Sequence, residues 1–503
     1  MSSLPRNLPR ICVALGFPTI AELSRAAERE YKDGNSFLEF RLDYLEQPRR
    51  AAEFVHKFRG KYPDTYVLAT CRHKQAQGQF SGGLEEQIGI LETAIEAGAN
   101  LIDLEIESAE RMKSNVEELR RSVPVIVSFH DFQKTPALDP VLRRLKRIPA
   151  DAYKIATTAR KPDDNLRLIQ FVRQQRREPL IALAMSEAGL PTRILGPSRG
   201  SLFTYAAPLQ AEGTAAGQIP AKAMRSLYRL EKLTQQSRVY GVIACPVAHS
   251  KSPLIHNRGF QSRRMDAVYL PFLVPAIHLG EWMKLAGGLP VHGFSVTIPH
   301  KQRILRYLDV IDPLAKRIGA VNTVWRRAGK WRGTNTDTDG VIRPLARRLR
   351  LANKSILIAG YGGAARAAAI ALSDARADVT ITGRNLKSAQ SLARVVSGVA
   401  ASLKDAQQQT YDVLIHATPV GMHPNDSESL FQDRVPAGVV LDMVYNPSET
   451  VLLKRAKQQG CTVIPGSEML LEQAIRQFEI WTGESAPRSV MQTALEQAFI
   501  MCA

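Results

Sequence analysis

The sequence predicts an α/β protein in which an N-terminal (β/α)8 barrel is followed by a second α/β region, and three observations lead to this prediction. Eight short β-type runs occur at fairly even spacing in the first 207 residues, separated by amphipathic helical stretches. A second strand–helix pattern begins after residue 238. At residue 355 a strand leads directly into a glycine-rich turn and an alanine-rich helix, which is typical of a dinucleotide-binding βαβ unit.

The barrel prediction depends on the eight runs, because strand and helix alternate regularly along them. The predicted strands are residues 10–15, 37–44, 66–72, 101–107, 124–132, 152–159, 180–186 and 202–207. Eight strand–helix units are the number that closes a TIM barrel, in which the functional residues lie at the carboxyl ends of the strands.

The domain boundaries follow from these patterns. We expect the barrel to cover residues 1–226 and the polar stretch 227–238 to be a linker. Residues 239–342, completed by C-terminal helices at 470–503, are expected to form one α/β domain. A Rossmann domain is expected at residues 343–469.

Composition excludes several classes of protein. With 503 residues, of which 45% are hydrophobic and 23% charged, the chain has enough apolar sequence for large cores and is not expected to be disordered. No apolar run is long enough to cross a bilayer, and the N-terminus lacks a signal-type cleavage region. The five cysteines (Cys12, Cys71, Cys245, Cys461 and Cys502) form no C-x-x-C pair. We therefore expect reduced thiols, no metal site and a cytoplasmic protein.

The formal net charge of +19 has two interpretations. It could reflect nucleic-acid binding, or a solvated basic surface that also suits carboxylate and phosphate substrates. The excess of Lys and Arg is spread along the chain without a basic tail, and its densest cluster is residues 343–350. We therefore expect small-molecule partners, no nucleic acid and no membrane, while the oligomeric state stays open.

Charged residues inside the predicted barrel are the first candidates for function. Glu39, Arg41 and Asp43 alternate along the second run, which would place all three side chains on one side of a strand, inside the barrel. Such buried charges must pair with one another or meet a ligand. A structural ion-pair network and a binding site are both compatible with this pattern.

Lys154 lies in the sixth run between Tyr153 and Ile155. Burial in a barrel would lower the pKa of its amine and free the amine to act as a nucleophile. Arg72 ends the third run, and His130 and Asp131 end the fifth. These positions favour a catalytic centre built around Lys154.

Four segments, at 39–43, 128–136, 153–156 and 214–218, resemble those of the type I 3-dehydroquinate dehydratases. The resemblance covers nearly all of residues 8–222. It implies that Lys154 forms a Schiff base with the substrate ketone and that His130 shuttles the proton. It further implies that Arg193 holds the substrate carboxylate. The other residues implied in substrate binding are Glu39, Arg41, Arg72, Thr214 and Gln218.

This part of the chain departs from the family pattern at three positions. The acidic residue expected shortly after Arg72 is absent or replaced by Gln77, and Ser186 stands where a glycine is usual. Thr214 replaces a serine but keeps the hydroxyl. These changes affect substrate contacts and leave the imine chemistry intact.

The second region carries polar motifs of its own. Ser250 and Ser252 lie in a turn before a predicted helix, where hydroxyls and free backbone N–H groups could bind a carboxylate or could simply cap the helix. Lys301 and Asp337 belong to two further motifs. If the fold brings them together, they form a proton-transfer pair beside a reducible carbonyl.

These motifs resemble shikimate dehydrogenase from residue 239 to near the C-terminus. The resemblance implies that Lys301 and Asp337 are the catalytic pair and that Ser250 and Ser252 bind the substrate carboxylate. The sequence departs from the pattern of this family at two positions, where Ser295 replaces an asparagine and Ala244 replaces a glycine. The residues implied at the ring hydroxyls are Thr297, Asn322, Tyr445 and Gln473.

The nucleotide is predicted more directly. Gly360, Gly362 and Ala365 fit G-x-G-x-x-[G/A] immediately after the strand at 355–359. The second strand of an NAD-binding unit ends in an acidic residue, but here Arg384 follows Thr382 and Gly383. A cation at this point could pair with a 2′-phosphate and favours NADP(H), although it could also be a solvated loop charge.

The full predicted cofactor site extends the glycine turn and the arginine loop. By the same resemblance, Thr418, Met443 and Gly466 would line the nicotinamide side. The remaining members are Tyr361, Gly363, Ala364, Asn385 and Lys387.

The whole chain therefore resembles the bifunctional dehydroquinate dehydratase–shikimate dehydrogenases. This implies dehydration of 3-dehydroquinate followed by NADPH-dependent reduction of the product to shikimate. Two alternatives are a second half that acts as a quinate dehydrogenase, and a non-catalytic, quinate-responsive regulator. A regulator has no need of Lys154, His130, Lys301 and Asp337, which argues for the enzyme.

Overall fold

The computed structural model describes residues 4–500, so Cys502 and the outermost ends of the first and last predicted domains lie outside the described residues. The described chain forms two compact units. One contains the chain up to Arg238 together with Asp266–Pro290, and the other contains Val239–Met265 and the chain from Val291 onward.

The first unit contains a parallel eight-stranded sheet that is nearly closed. Each of the first six strands pairs with the next along the chain, and the eighth pairs with the first. A backbone hydrogen bond from Leu202 N to Leu180 O (2.8 Å) links the starts of the last two strands. The predicted barrel is confirmed, with strands Ile11–Leu15, Phe37–Arg41, Tyr66–Thr70, Leu101–Glu105, Val125–His130, Ala152–Thr158, Leu180–Met185 and Thr204–Ala206.

Helices follow the strands in the order expected for a (β/α)8 barrel. They are Ile20–Lys32, Ala51–Lys61, Leu84–Glu96, Ile106–Arg111, Lys113–Ser122, Leu138–Leu145, Pro162–Gln174, Leu190–Arg199 and Ala221–Ser226. Short 3-10 turns lie at Leu42–Tyr44, Pro48–Arg50, Lys74–Ala76, Glu187–Gly189 and Leu230–Lys232.

The stretch expected to be a polar linker is packed against the barrel. Leu230 and Leu233 are buried, and Arg10 Nη1 donates a hydrogen bond to Leu233 O (3.1 Å). The segment 266–290 also belongs to this unit, with strand Ala267–Leu273, the turn Ala276–His278 and helix Leu279–Gly288. Gly288 in that helix lies against Leu166 of the barrel helix Pro162–Gln174.

The second unit contains a mixed sheet and a parallel sheet. In the mixed sheet, five strands of this unit lie in the spatial order Arg238–Ala244, Val291–Val296, Thr323–Arg327, Lys330–Thr334 and Val310–Ile311. The first two pair in parallel, and Thr323–Arg327 is antiparallel to both of its neighbours. A 3-10 turn lies at Arg303–Tyr307.

The parallel sheet has the strand order of a Rossmann fold, with the first strand in the middle and the chain winding outward on each side. In spatial order its strands are Val399–Ala400, Asp378–Thr382, Ser355–Ala359, Tyr411–His416, Ala437–Asp442 and Thr462–Ile464. Buried Ile, Leu, Val and Ala residues cover both faces of this sheet. The predicted Rossmann fold is confirmed.

The helices of the second unit complete both sheets. They are Ser252–Ser262, Pro313–Ile318, Asp337–Ala346, Gly363–Asp374, Leu386–Val395, Leu403–Gln408, Val451–Gln458, Gly466–Thr482 and Arg488–Ile500. Within residues 4–500, none of the helices is both long enough and apolar enough to cross a membrane.

Candidate active sites

A buried carboxylate, Asp103, connects the charged groups inside the barrel. It lies on the fourth strand and accepts hydrogen bonds from Lys154 Nζ (3.0 Å), Arg72 Nη2 (3.0 Å) and Ser128 Oγ (2.7 Å). Burial by itself raises the pKa of Asp103, but the two cations and these hydrogen bonds outweigh it and hold the pKa at about 2. Asp103 is therefore an anion that orients both cations.

Lys154 is buried, with its ammonium 4.0 Å from the centre of the Tyr205 ring. Burial is the largest influence on the pKa of Lys154 and lowers it, while the charges of Asp103 and Glu39 act in the opposite direction. The net pKa is below that of a free lysine. This environment increases the fraction of neutral amine, which is the form that attacks a carbonyl.

His130 ends the fifth strand, two residues beyond Ser128, which is paired with Lys154 of the sixth strand. Burial lowers the pKa of His130 well below its usual value, and the charges of Arg72, Lys154 and Arg41 lower it further. Its Nδ1 is buried and has no hydrogen-bond partner among the described residues. A neutral imidazole in this position is a proton acceptor.

The three charges of the second strand divide into two groups. Glu39 accepts a hydrogen bond from Thr70 Oγ1 (2.8 Å) in the barrel interior. The strand ends at Arg41, so the prediction that Asp43 continues the same alternation is wrong. Asp43 lies in a 3-10 turn and pairs with Arg41 through two hydrogen bonds of 2.9 and 2.8 Å.

Arg193 is completely buried on the helix that follows the seventh strand. Burial lowers its pKa to about 10. Its Nη2 donates to Ala216 O (3.1 Å), and its Nε has no partner among the described residues. A buried cation with a free donor suits a carboxylate ligand.

The loop 214–218 lies beside Arg193 and carries the remaining predicted contacts. Gln218 Nε2 reaches Thr214 Oγ1 at 3.5 Å, and Gln218 Oε1 accepts from Ala215 N at 3.3 Å. Ser186 N donates to Ala216 O (3.0 Å) and has a φ of 75°. That backbone region favours glycine, which explains why Ser186 stands out as a departure.

Gln77 does not enter this group. Its side chain is exposed at the end of the 3-10 turn Lys74–Ala76, and its φ is 57°. Two other carboxylates bind this loop: Glu105 accepts a hydrogen bond from His73 N (3.2 Å), and Asp43 accepts one from Gln79 N (3.0 Å).

In the second unit, Lys301 and Asp337 meet directly. Lys301 Nζ lies 2.5 Å from Asp337 Oδ2, and the lysine is only partly exposed. Asp337 begins the helix Asp337–Ala346, while Lys301 follows the strand Val291–Val296. The fold thus forms the proton-transfer pair that the sequence left as a condition.

Asn322 fixes the orientation of this pair. Its Nδ2 donates to Asp337 Oδ1 (2.8 Å), and its Oδ1 accepts from Thr323 Oγ1 (2.7 Å) and from Thr336 N (2.7 Å). Asp337 N in turn donates to Asn335 Oδ1 (3.0 Å). Both carboxylate oxygens of Asp337 are therefore held in place.

Gln473 and Gln477 lie one turn apart on the helix Gly466–Thr482. Gly340, near the start of the Asp337 helix, would place a Cβ 3.5 Å from Gln473 Cβ. Gln477 was not predicted from the sequence: its Nε2 donates to Thr323 Oγ1 (3.1 Å), and its Oε1 accepts from Ser295 Oγ (2.7 Å). Its position four residues after Gln473 on one helix face was the signal available.

Ser250, Ser252 and Thr297 follow the ends of two paired parallel strands, so they lie at one edge of the mixed sheet. Ser252 is the first residue of its helix, and its N–H points to Ser250 Oγ at 3.4 Å. The residue at the cap position is Lys251, whose side chain makes no capping hydrogen bond. Ser250 therefore accepts one of the N–H groups at the start of the helix, while Ser252 lies inside the helix.

The predicted glycine turn lies between the first Rossmann strand and its helix. Gly360 has a φ of 128°, and a Cβ there would lie 2.6 Å from Ala417 O. Gly362 precedes the helix, which begins at Gly363 and Ala364, and Ala365 is fully buried. Free N–H groups at the start of this 12-residue helix suit a pyrophosphate.

Arg384 and Lys387 are exposed beside this turn, after the strand Asp378–Thr382. Asn385 has a different local role, because its side chain accepts a hydrogen bond from Ser388 N (3.1 Å) and caps the helix Leu386–Val395. Gly383 lies against the ring of Tyr361. The two basic side chains are thus free to meet a 2′-phosphate.

Thr418, Met443, Tyr445 and Gly466 lie after the next Rossmann strands. Met443 N donates to His416 O (2.9 Å). A Cβ on Gly466 would lie 2.4 Å from Val444 O, so the start of the helix Gly466–Thr482 packs tightly on this segment. Burial raises the pKa of Tyr445.

Between residues 4 and 500, no group of three or more His, Cys, Asp or Glu side chains could hold a metal ion.

Comparisons with known proteins agree with this division. The sequence model of the type I 3-dehydroquinase family matches residues 11–235. The shikimate dehydrogenase substrate-binding domain matches residues 242–324, the shikimate/quinate 5-dehydrogenase family matches 345–428, and the shikimate 5′-dehydrogenase C-terminal domain matches 466–496.

Individual relatives match either about one half of the chain or nearly all of it. The bifunctional 3-dehydroquinate dehydratase/shikimate dehydrogenase of Arabidopsis thaliana, described as chloroplastic, is 34% identical over 96% of this chain and 84% of its own length. The NADP-dependent shikimate dehydrogenase of Shouchella clausii is 40% identical over 51% of this chain and 97% of its own. A crystal structure of shikimate dehydrogenase with NADP+ aligns with a TM-score of 0.51 at 38% identity, covering 53% of this chain and 97% of that one.

The two sites and these relatives define a two-enzyme chain, a lyase followed by an NADP-dependent oxidoreductase. The protein belongs to the bifunctional 3-dehydroquinate dehydratase/shikimate dehydrogenases of the shikimate pathway. The alternatives of a quinate dehydrogenase half and of a non-catalytic regulator are not favoured. The predicted use of NADP is confirmed.

Proposed function

We propose that the barrel residues described above dehydrate 3-dehydroquinate and that the residues around Lys301 reduce the resulting 3-dehydroshikimate to shikimate. The observation that carries this proposal is the presence of two complete proton-transfer centres in one chain. Lys154 lies beside Asp103, and Lys301 lies beside Asp337. The product of the first centre is the substrate of the second.

In the barrel, the neutral amine of Lys154 attacks the ketone carbon of the substrate, and loss of water gives an imine. The iminium withdraws electrons, so His130 can remove a proton from the adjacent carbon. His130 then returns that proton to the departing hydroxyl, which leaves as water. Hydrolysis of the imine releases the product and restores Lys154.

Binding in the barrel depends on the cations that the protein leaves incompletely paired. Arg193, with its free buried Nε, is proposed to hold the carboxylate. Glu39, Arg41, Arg72, Thr214 and Gln218 are proposed to contact the ring hydroxyls and the carboxylate. Asp103 orients Lys154 and Arg72 and does not need to contact the substrate.

In the second unit, bound NADPH would supply the hydride that reduces the carbonyl carbon of the substrate. Lys301 donates a proton to the carbonyl oxygen, and Asp337 holds the ammonium in place at 2.5 Å. Ser250 and Ser252 are proposed to bind the carboxylate, and Thr297, Asn322, Tyr445 and Gln473 the ring hydroxyls. Arg384 and Lys387 are proposed to bind the 2′-phosphate.

The partners in this proposal are small anionic molecules, without nucleic acid or membrane. A cytoplasmic location is proposed from the unpaired cysteines of the sequence. Cys12, Cys71, Cys245 and Cys461 are free thiols.

Purified full-length protein supplied with 3-dehydroquinate and NADPH tests the whole proposal. We expect loss of NADPH absorbance and formation of shikimate. Lys301→Ala should stop the sequence at 3-dehydroshikimate, while Lys154→Ala should reduce added 3-dehydroshikimate but leave 3-dehydroquinate unchanged. Reduction of 3-dehydroquinate to quinate in preference to this sequence would contradict the proposal.

A further inference from the structure

A continuous chain of hydrogen bonds links four side chains at the carboxyl ends of two neighbouring strands of the Rossmann sheet. Thr450 Oγ1 donates to Asp442 Oδ2 (2.6 Å), and Asp442 Oδ1 lies 2.8 Å from His416 Nδ1. His416 Nε2 lies 2.6 Å from Thr418 Oγ1. His416 is 2% exposed and Asp442 is not exposed at all. The four side chains therefore form one network, in which Thr450, Asp442 and His416 are buried and Thr418 is half-buried.

The network lies where a dinucleotide binds. His416 and Asp442 are the last residues of two neighbouring parallel strands and are directly paired. Ligands of such sheets bind beyond the carboxyl ends of the strands. The methyl group of Thr418 lies 3.4 Å from the position of a Cβ on Gly360, the first glycine of the phosphate-binding turn. Thr418 is thus the member of the network that faces the cofactor crevice.

The partners of each group determine the direction of the hydrogen bonds. An ionised carboxylate can only accept, so Asp442 places the ring proton of His416 on Nδ1. In the neutral ring, Nε2 is then an acceptor, and the Thr418 hydroxyl must donate to it. Val420 N donates to Thr418 Oγ1 at 3.3 Å. The threonine oxygen keeps a further lone pair that no described residue uses.

We propose that His416 and Asp442 are positioning residues that hold the Thr418 hydroxyl as a hydrogen-bond acceptor for the nicotinamide half of NADP(H). This inference rests on the proposed cofactor site. The donor is an N–H of the carboxamide or an O–H of the adjoining ribose, which are the donors that this half of the cofactor offers. Without the network the hydroxyl can rotate and present its proton instead of its lone pair.

Equilibrium binding to the full-length protein at about pH 8, where a free imidazole is neutral, tests this role. Three ligands are compared by calorimetry: NADP+, its 3-acetylpyridine analogue, and adenosine 2′,5′-bisphosphate. The analogue lacks the carboxamide N–H, and the bisphosphate lacks the whole nicotinamide half. Thr418→Val removes the oxygen, Thr418→Ser keeps it, and His416→Asn can retain the bond to Asp442 but is too short to reach Thr418.

We expect Thr418→Val and His416→Asn to weaken NADP+ binding by about 3- to 10-fold, the worth of one neutral hydrogen bond. Binding of the bisphosphate should change by less than about twofold, and Thr418→Ser should bind NADP+ like the wild type. An unchanged affinity for the acetylpyridine analogue in the two weakened variants identifies the carboxamide as the donor. If the two variants lose as much affinity for the analogue as for NADP+, the ribose is the donor. Both outcomes support the proposal.

Two results would overturn it. An equal loss for NADP+ and the bisphosphate would mean that the network only maintains the fold of the sheet edge. Unchanged NADP+ binding in Thr418→Val would mean that the hydroxyl does not meet the cofactor. Failure of the proposed cofactor site is distinguishable from both, because the wild-type protein would then bind neither ligand.

Discussion

Lys154 Nζ lies 3.0 Å from Asp103 Oδ2, although the two residues are 51 positions apart and their strands are separated by the fifth barrel strand. Burial and the carboxylate act on the lysine in opposite directions. Burial lowers the pKa of Lys154, and the charge of Asp103 raises it. The reactivity of the amine therefore depends on the balance between them.

Replacing Asp103 by Asn should shift the pH dependence of the dehydratase. Without the carboxylate the pKa of Lys154 falls, and the positive charge of Arg72, now unpaired, lowers it further. Since the neutral amine attacks the substrate, the acidic limb of the kcat/KM profile should move to lower pH. Ser128→Ala is the matched control, because it removes one hydrogen bond to Asp103 and leaves the charge. A limb that stays in place or moves to higher pH contradicts the assignment.

The same carboxylate should make the stability of the barrel sensitive to acid. The pKa of Asp103 is about 2 in the folded protein, against 3.8 for an ordinary aspartate. A lowered folded-state pKa means that its contribution is complete above about pH 4 and is lost as the pH falls toward 2. The Tm difference between wild type and Asp103→Asn, measured by calorimetry, should be largest near neutral pH and narrow below about pH 4. A difference independent of pH would exclude this linkage.

Borohydride in the presence of 3-dehydroquinate should trap a covalent adduct on Lys154. Intact-mass analysis checks this, and Lys154→Ala should show no adduct. His130→Ala should still be trapped, while its turnover drops by roughly 10²- to 10⁴-fold, the usual contribution of general acid–base catalysis. An adduct that persists in Lys154→Ala would assign the imine to another amine.

Arg384→Ala should weaken the binding of NADPH by roughly 10- to 100-fold and leave the binding of NADH almost unchanged. A charge-assisted contact to the 2′-phosphate contributes about 1.5–3 kcal/mol. Higher salt should reduce the same preference, because an exposed ion pair is screened. The measurement is KM for both cofactors in the full-length protein.

Two variants serve as controls for Arg384, one inside the helix Leu386–Val395 and one at its N-cap. Arg394→Ala removes the same charge from an exposed position in the last turn of the helix Leu386–Val395. Asn385→Ala removes the helix cap and should lower stability by about 1 kcal/mol. If either changes the preference for NADPH as much as Arg384→Ala does, the arginine does not read the phosphate directly.

A fragment of residues 1–236 should be a dehydratase without NADP-dependent activity. It keeps the packed stretch around Leu230 but lacks the helix Leu279–Gly288, which covers Leu166 of the barrel. We therefore expect an active fragment with a lower Tm than the barrel transition of the full chain. Circular dichroism and the dehydratase assay check this. A folded but inactive fragment shows that the barrel is not an independent catalyst.

The sequence was sufficient to predict elements whose signals are local. Alternation of strands and helices predicted the barrel, and a strand followed by Gly360 and Gly362 predicted the Rossmann turn. Strand ends were less predictable, because the alternation of polar and apolar residues continues past Arg41 although hydrogen bonding in the sheet does not. The sequence pattern therefore places Asp43 in the strand, whereas the structure places it in a 3-10 turn.

Partners that depend on sheet register could not be predicted in the same way. His416 and Asp442 become neighbours only because their strands pair in parallel with these two residues opposite each other. Asp103 had a weak signal, since it alternates with Glu105 along a buried strand as Glu39 does with Arg41. Nothing in the spacing indicates that it meets Lys154.

The helix Gly466–Thr482 takes part in both halves of the dehydrogenase. Its first residue, Gly466, packs against the backbone of Val444 beside the cofactor crevice. Near its other end, Gln477 forms hydrogen bonds with Ser295 and Thr323 of the mixed sheet. The helix is therefore anchored at both ends, one beside the cofactor crevice and the other in the mixed sheet. If ligand occupancy at one end displaces this helix, the affinity for the ligand at the other end changes, and linkage makes the factor the same in both directions.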